Sequence, residues 1–133
     1  MKNKLKSVFP LSHPQHIILG LALIGVGLIL ICNDCYFFWP PFATAFLNDD
    51  LIGGTFMIIG ILVIKWALDN HNKISINRNL LVITAGLLAL EATAEFCHGY
   101  VSGHPHMFMA GFLEIIVLLF DFSIIGKSKK RNY

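Results

Sequence analysis

Four long apolar runs constrain this chain more than any other feature of its sequence. They lie at about residues 16–32, 51–68, 80–97 and 108–126. A helix of this length crosses a hydrocarbon core of roughly 30 Å at about 1.5 Å per residue. Because a bilayer offers the backbone no hydrogen-bond partners, such segments span it as helices. The runs therefore predict an all-α membrane protein, a four-transmembrane-helix bundle in which residues 1–133 form a single integral membrane domain.

The composition excludes several other classes of protein. Of the 133 residues, 56% are hydrophobic and only 14% are charged, which leaves too little charged surface for a soluble domain. The basic residues flank the apolar runs and form no continuous surface, so nucleic acid is not an expected partner. The expected partner is the lipid bilayer, and a transport function in so short a chain would imply a homo-oligomer.

The distribution of basic residues predicts how the chain is oriented. The loops at 33–50 and 98–107 contain no Lys or Arg, whereas the two termini and the loop between the second and third runs are basic. Because basic residues favour the cytoplasmic side of a membrane, we expect a multi-pass plasma-membrane protein that is N-in and C-in, with both termini cytoplasmic. The residues behind this expectation are Lys2, Lys4, Lys6, Lys73, Arg78, Lys127, Lys129, Lys130 and Arg131.

Polar chemistry is concentrated in residues 91–114, within and between the last two runs. Glu91, Glu95 and His98 are spaced four and three apart, so they share one face of a helix. An ionisable group inside such a run costs about 2.5–3.5 kcal/mol on insertion scales, and it therefore indicates a functional site. The six candidate residues of this stretch are Glu91, Glu95, His98, His104, His106 and Glu114.

The last two runs are expected to form an antiparallel hairpin with its turn near residues 102–103. Glu91 then lies at the same depth as Glu114, and Thr84 lies at the same depth as Asp121. Two carboxylates at one depth in a low dielectric do not both stay ionised unaided. Either they share a proton, or a cation lies between them.

Glu95 and His98 form an E-x-x-H step, which directs a carboxylate and an imidazole towards one centre. Helical di-iron carboxylate proteins use this step twice, together with two further glutamates, whereas this chain has it once. Such oxygen and nitrogen ligands suit Zn, Mn or Fe. We therefore expect a Glu/His site in the outer leaflet that binds a proton or a divalent metal ion, in transport or in a metal-dependent role.

A structural role is an alternative for the same residues. Buried glutamates and histidines near the end of a helical bundle are also suited to a hydrogen-bonded polar core that fixes helix packing. In that case the chain would be a non-catalytic membrane interaction or immunity-type protein.

The cysteines indicate a further alternative for the function of this chain. Cys32 and Cys35 form a C-x-x-C motif at the outer end of the first run, and Cys97 ends the third run. With four spans and cytoplasmic termini, this motif resembles that of the DsbB-type membrane thiol oxidases. The resemblance implies a thiol–disulfide oxidoreductase that uses these cysteines, although that family has a second cysteine pair where this chain has Cys97 alone. A structural disulfide and a metal site with thiolate ligands are further interpretations of the same motif.

Three smaller predictions concern structure. Gly20, Gly25 and Gly27 leave a smooth patch on which a neighbouring helix can approach closely. The aromatic residues at 36–39 match the belt that aromatic side chains form at a membrane interface. Asp49 precedes the second run in the position of a helix cap.

Overall fold

The computed structural model describes residues 13–69 and 73–130, without the side chains of residues 129 and 130. This part of the chain is all-helical. Its helices are α1 (Pro14–Ile31), α2 (Thr44–Leu47), α3 (Asp50–Leu68), α4 (Ile74–Ser102) and α5 (Pro105–Lys130). All of them except the short α2 are long and apolar enough to cross a membrane, which confirms the predicted set of four. Lys2, Lys4, Lys6 and Arg131 lie outside the described residues.

The helix ends follow local signals in the sequence. The side chain of Asp49 caps α3 by accepting a hydrogen bond of 2.8 Å from the backbone N–H of Leu51, as expected. Gly103 ends α4 with a φ of 69°, a conformation that favours glycine, and Pro105 opens α5. The predicted loop at 98–107 is therefore wrong in length. The α4 helix continues to Ser102, and only two residues separate it from α5.

Glycines bring α1 and α3 into close contact. A Cβ atom added to Gly20 would lie 2.7 Å from the carbonyl oxygen of Gly60, and one added to Gly27 would lie 2.5 Å from that of Gly53. The two glycines of each helix are seven residues apart, so the contact recurs after two turns. The predicted smooth patch is confirmed at Gly20 and Gly27, whereas nothing lies within 4 Å of a Cβ added to Gly25.

The α4 and α5 helices pack through a different pattern. Buried residues of α4 follow one another at alternating steps of four and three, and α5 repeats the pattern from Met107 onwards. This period of 3.5 residues is typical of helix pairs with a left-handed crossing. Many of these positions are polar, and together they form a column that we call the polar seam. Its members are Asn77, Thr84, Glu91, Glu95 and His98 of α4, with Glu114 and Asp121 of α5.

Hydrogen bonds define the two ends of the bundle. His16 of α1 is joined to Asn77 of α4 by a hydrogen bond of 2.9 Å, and the Asn77 amide donates to the Ser128 hydroxyl of α5 at 3.4 Å. The start of α1 and the end of α5 therefore share one end, which we call the terminal end. The opposite end holds the loop between α1 and α2 and the turn between α4 and α5, and we call it the loop end. There Tyr36 contacts Glu95.

The exterior of the bundle is apolar. Large hydrophobic side chains such as Leu21, Leu51 and Ile116 are more than half exposed, while the core is formed by buried residues such as Leu23, Phe56 and Leu88. A soluble monomer rarely exposes so much contiguous apolar surface. The arrangement is the one expected of helices that face lipid outwards and polar partners inwards.

Gly27→Ala is expected to lower the melting temperature of the purified protein in detergent, because the added methyl group would overlap the Gly53 backbone. Overpacking of this kind costs about 1–3 kcal/mol. The matched control is Gly25→Ala on the same helix, which has open space and gains helix propensity. Thermal unfolding followed by tryptophan fluorescence measures the difference, and equal melting temperatures for the two variants would contradict the close packing of α1 on α3.

Candidate functional site

Three glutamates converge in the half of the bundle near the loop end. Glu91 and Glu95 lie one turn apart on α4, and Glu114 comes from α5. One carboxylate oxygen of each lies within 4.8 Å of those of the other two. The predicted match in depth between Glu91 and Glu114 is confirmed by this distance. All three side chains are buried, with exposed fractions of 1%, 1% and 8%.

The protein leaves this negative charge unbalanced. Each glutamate has one carboxylate oxygen, Oε2, that finds no hydrogen-bond partner within the described part of the chain. The buried polar side chains among the described residues include no Lys or Arg. An ionised carboxylate without a partner is very unfavourable in a medium of low dielectric constant. The three groups must therefore be neutralised by protons, by a bound cation, or by both.

A cavity of about 150 Å³ adjoins the glutamates. It lies between α1 and α5, with apolar side chains on its walls and the carboxylates at its polar side. A cavity of this size has room for an ion and a few water molecules. The other lining residues are Val26, Ile29, Leu30, Tyr36, Ala110 and Leu113.

Tyr36 connects the loop after α1 to this cluster. Its phenol donates a hydrogen bond of 2.5 Å to Oε1 of Glu95, 59 residues away in the sequence. Burial raises the pKa of Tyr36 above its ordinary value, and the hydrogen bond to Glu95 and the nearby charges of Glu95 and Glu114 raise this pKa further. Tyr36 therefore stays protonated and acts as a donor to the site.

The same loop covers His98. Asn48 holds Phe37 by two hydrogen bonds: the Phe37 N–H donates to Asn48 Oδ1 at 2.8 Å, and Asn48 Nδ2 donates to the Phe37 carbonyl at 2.6 Å. The ring centroids of Phe38 and His98 are 3.9 Å apart, and those of Phe37 and His98 are 5.5 Å apart. The predicted interfacial belt is wrong for Phe37, which is buried because it packs inside the bundle.

The structure brings together three of the six predicted site residues. His98 lies about 4.5 Å beyond Glu95 and about 10.5 Å beyond Glu91 along α4, at about 1.5 Å per residue. The three glutamates therefore converge without His98, which lies beside the rings of Phe37 and Phe38. Neither ring nitrogen of His98 has a hydrogen-bond partner in the described chain. His104 and His106 are exposed, with ring centroids 5.3 Å apart.

The cysteines lie at the surface of the same half of the bundle. Cys32 directly follows α1, Cys35 lies in the loop, and both are exposed. Cys97 is exposed on α4. Both thiols of the C-x-x-C motif are exposed, and its redox interpretation stays a prediction.

Sequence reasoning missed the residues that come from the loop. Tyr36, Phe37, Phe38 and Asn48 contact the α4 helix or hold the residues that do, and no spacing rule links them to a helix some 60 residues away. His16 and Asn77 were missed as well. Asn77 had a signal in the sequence, because it stands seven residues before Thr84 and fourteen before Glu91.

No protein family model, curated protein or solved structure matches this chain. A function is therefore inferred from the three glutamates and their surroundings.

Tyr36→Phe is expected to destabilise the protein by about 1–2 kcal/mol, because it removes the donor to Glu95 and leaves a second oxygen of that buried carboxylate without a partner. Tyr100→Phe is the matched control, since Tyr100 lies near the same end of the bundle and is 84% exposed. Thermal unfolding in detergent compares the two variants. A Tyr36→Phe protein as stable as the control would show that the hydrogen bond contributes nothing to the fold.

Proposed function

We propose that this chain is a multi-pass membrane protein that binds a divalent metal cation, in exchange for protons, at Glu91, Glu95 and Glu114. The observation that supports the proposal most strongly is the set of three buried carboxylates whose oxygens lie within 4.8 Å of one another. Each contributes an oxygen that has no partner among the described residues, and a cavity of about 150 Å³ lies beside them.

Charge balance supports the exchange. Three ionised carboxylates carry three negative charges, and a site of low dielectric constant favours a neutral total. Three bound protons give that total, and so does one divalent cation together with one proton. Binding of the metal therefore releases two protons, in line with the general coupling of metal binding to ligand deprotonation.

The ligand atoms favour manganese among the metals expected from the sequence, which were Zn, Mn and Fe. The converging ligands are carboxylate oxygens, and His98 lies outside their cluster, beside Phe38. Oxygen donors suit Mg, Ca and Mn, whereas Zn and Fe gain more from imidazole or thiolate. Water in the adjoining cavity would complete the coordination of the metal.

We further propose that the protein lies in the plasma membrane with both termini in the cytoplasm. The basic residues of the described chain support this orientation. Lys65, Lys73, Arg78 and Lys127 all lie near the terminal end, and the residues of the loop end include no Lys or Arg. The three glutamates then belong to the outer half of the membrane.

The purified protein is expected to bind a stoichiometric amount of Mn²⁺, and Glu91→Gln and Glu114→Gln are each expected to weaken that affinity by at least about 10–100-fold. Both substitutions keep the shape of the side chain while removing a charged ligand. Equilibrium binding to the detergent-solubilised protein, with elemental analysis of the dialysed sample, measures the effect.

Asp121→Asn is the matched control for this experiment. It converts another buried carboxylate on α5 to a carboxamide, seven residues beyond Glu114 and outside the cluster. Its Mn²⁺ affinity should equal that of the unaltered protein. Absence of stoichiometric binding to the unaltered protein, or equal affinities in all three variants, would refute the metal site. Zn²⁺ and Mg²⁺ titrations test the preference for manganese.

The orientation predicts which cysteines can be labelled in intact cells. In a variant that keeps Cys35 alone, through Cys32→Ser and Cys97→Ser, a membrane-impermeant maleimide should react from outside, because Cys35 is exposed at the loop end. In a cysteine-free protein carrying Lys127→Cys, reaction should require permeabilised cells. The opposite pattern would place the termini outside and overturn the proposed orientation.

A further inference from the structure

We propose that the polar seam is a proton pathway through the bundle, with Asp121 as the central proton carrier between the glutamates and the terminal end. Protons released at the glutamates when a metal binds would leave along it, and this second step rests on the proposed function. Asp121, Thr84 and the residues at the two ends of the seam lie outside the metal site. Metal binding and proton movement are therefore separable by experiment.

The seam is long enough to cross a membrane. Asn77, Thr84, Glu91 and His98 follow one another at intervals of seven residues along α4, and each is buried. The distance from Asn77 to His98 along the helix is about 32 Å at about 1.5 Å per residue, which matches a hydrocarbon core of roughly 30 Å. A hydrogen-bonding or titratable side chain therefore recurs every two turns from one side of the apolar region to the other.

Asp121 lies between the glutamates and the terminal end of this column. It is fully buried, and neither of its carboxylate oxygens has a hydrogen-bond partner within the described chain. Thr84 is also fully buried, and its hydroxyl likewise has no partner there. The two residues lie seven positions on the terminal side of Glu91 and Glu114, whose carboxylate oxygens lie within 4.8 Å of each other, so Thr84 and Asp121 are at a similar depth in the bundle.

Helix packing alone does not account for Asp121. Leu88 of α4 and Ile124 of α5 pack in the core with apolar side chains that leave no polar atom without a partner. An aliphatic side chain at position 121 would do the same, whereas a carboxyl group adds the cost of burying polar atoms. Ionisable residues at such depth indicate a path for protons or ions.

Each end of the seam carries imidazole groups that can pass a proton on. At the terminal end the buried His16 forms a hydrogen bond with Asn77. The ring centroids of His13 and His16 are 5.4 Å apart. At the loop end the buried His98 has two unpartnered ring nitrogens and lies near the exposed His104 and His106. Because imidazole has two nitrogens and titrates near neutral pH, it can accept a proton on one side and donate it on the other.

The packing between the polar residues favours protons over larger ions. Asn77, Thr84 and Glu91 are each about 10 Å apart along α4, so water molecules between them would be needed to complete the path. Leu81, Leu88 and Ile124 are almost fully buried between the polar residues, so the terminal half of the column has no wide channel. The metal would therefore stay at the glutamates while protons pass.

Every buried polar or charged group of the described chain belongs to this column or to its ends. The buried residues of the described chain include no Lys or Arg, whose positive charge would repel a proton. The groups are His16, Asn77, Thr84, Glu91, Glu95, His98, Glu114 and Asp121.

Proton flux into liposomes tests the pathway. The full-length protein is reconstituted with a pH-sensitive dye inside, and a potassium gradient with valinomycin drives protons inward, with and without external Mn²⁺. The unaltered protein should conduct protons above the rate of protein-free liposomes. Asp121→Asn should lower the rate by about tenfold or more, equal to about 1.4 kcal/mol on the barrier, and Thr84→Val should lower it to a lesser extent.

Thr93→Val is the control for these variants. Thr93 is exposed on α4, and its hydroxyl donates to the Ala89 carbonyl of its own helix at 2.7 Å. The proton flux of the Thr93→Val variant should equal that of the unaltered protein. If Asp121→Asn does not give a monodisperse protein, Thr84→Val against Thr93→Val decides the question alone.

Two outcomes overturn the pathway: no flux above protein-free liposomes in either condition, or Asp121→Asn and Thr84→Val at the rate of the unaltered protein. Mn²⁺ binding is measured on the same samples. Flux without Mn²⁺ binding would support the pathway and refute the metal site. Mn²⁺ binding without flux would refute the pathway and leave the metal site standing.

Discussion

The cost of a polar group without a partner in an apolar medium governs how this bundle is built. The exterior consists of large apolar side chains, and the backbone of each long helix satisfies its own hydrogen bonds. The polar side chains of α4 and α5 therefore turn towards one another and form the polar seam. Within it, some atoms find protein partners and others do not. Among the described residues, the buried side-chain atoms without partners mark where water, protons or a cation can bind, and they belong to Thr84, Glu91, Glu95, His98, Glu114 and Asp121.

The two helix pairs are held by different means, and the difference matters for the site. The α1 and α3 helices meet at glycine pairs, where the two backbones lie in close contact. The α4 and α5 helices meet through longer side chains, many of them polar. The cavity lies on the α1 face of this second pair, beside Glu114. A tightly packed pair thus supports one wall of a site whose chemistry comes from the other pair.

The loop between α1 and α2 completes the site rather than merely connecting two helices. Asn48 fixes the backbone of Phe37, which positions Tyr36 on Glu95 and places Phe38 over His98. The loop supplies a neutral phenol donor to one carboxylate and shields the imidazole above it. A cluster of three glutamates with one phenol, and no buried Lys or Arg among the described residues, favours neutralisation by mobile cations. Protons and a divalent metal are the cations proposed for it.

The sequence by itself determined the four helices, their antiparallel order and the pairing of Glu91 with Glu114. Those features follow from hydrophobic length and helical periodicity, which are local properties of the chain. It also marked Gly20 and Gly27 as packing positions and Asp49 as a cap. It overestimated the length of the α4–α5 turn, because a sequence read for hydropathy ends a helix where polar residues begin. A helix can extend beyond the apolar region, because its backbone hydrogen bonds do not depend on hydrophobic side chains.

Only the tertiary structure decided which polar residues meet. The placement of His98 beside Phe38, apart from Glu95, depends on how α4 packs against the loop. The burial of Phe37 depends on the hydrogen bonds that Asn48 makes to its backbone. The contact of Tyr36 with Glu95 joins residues that are 59 positions apart. No periodicity encodes such contacts, because each results from the packing of several elements at once. The helices could therefore be predicted from the sequence, whereas the composition of the site could not.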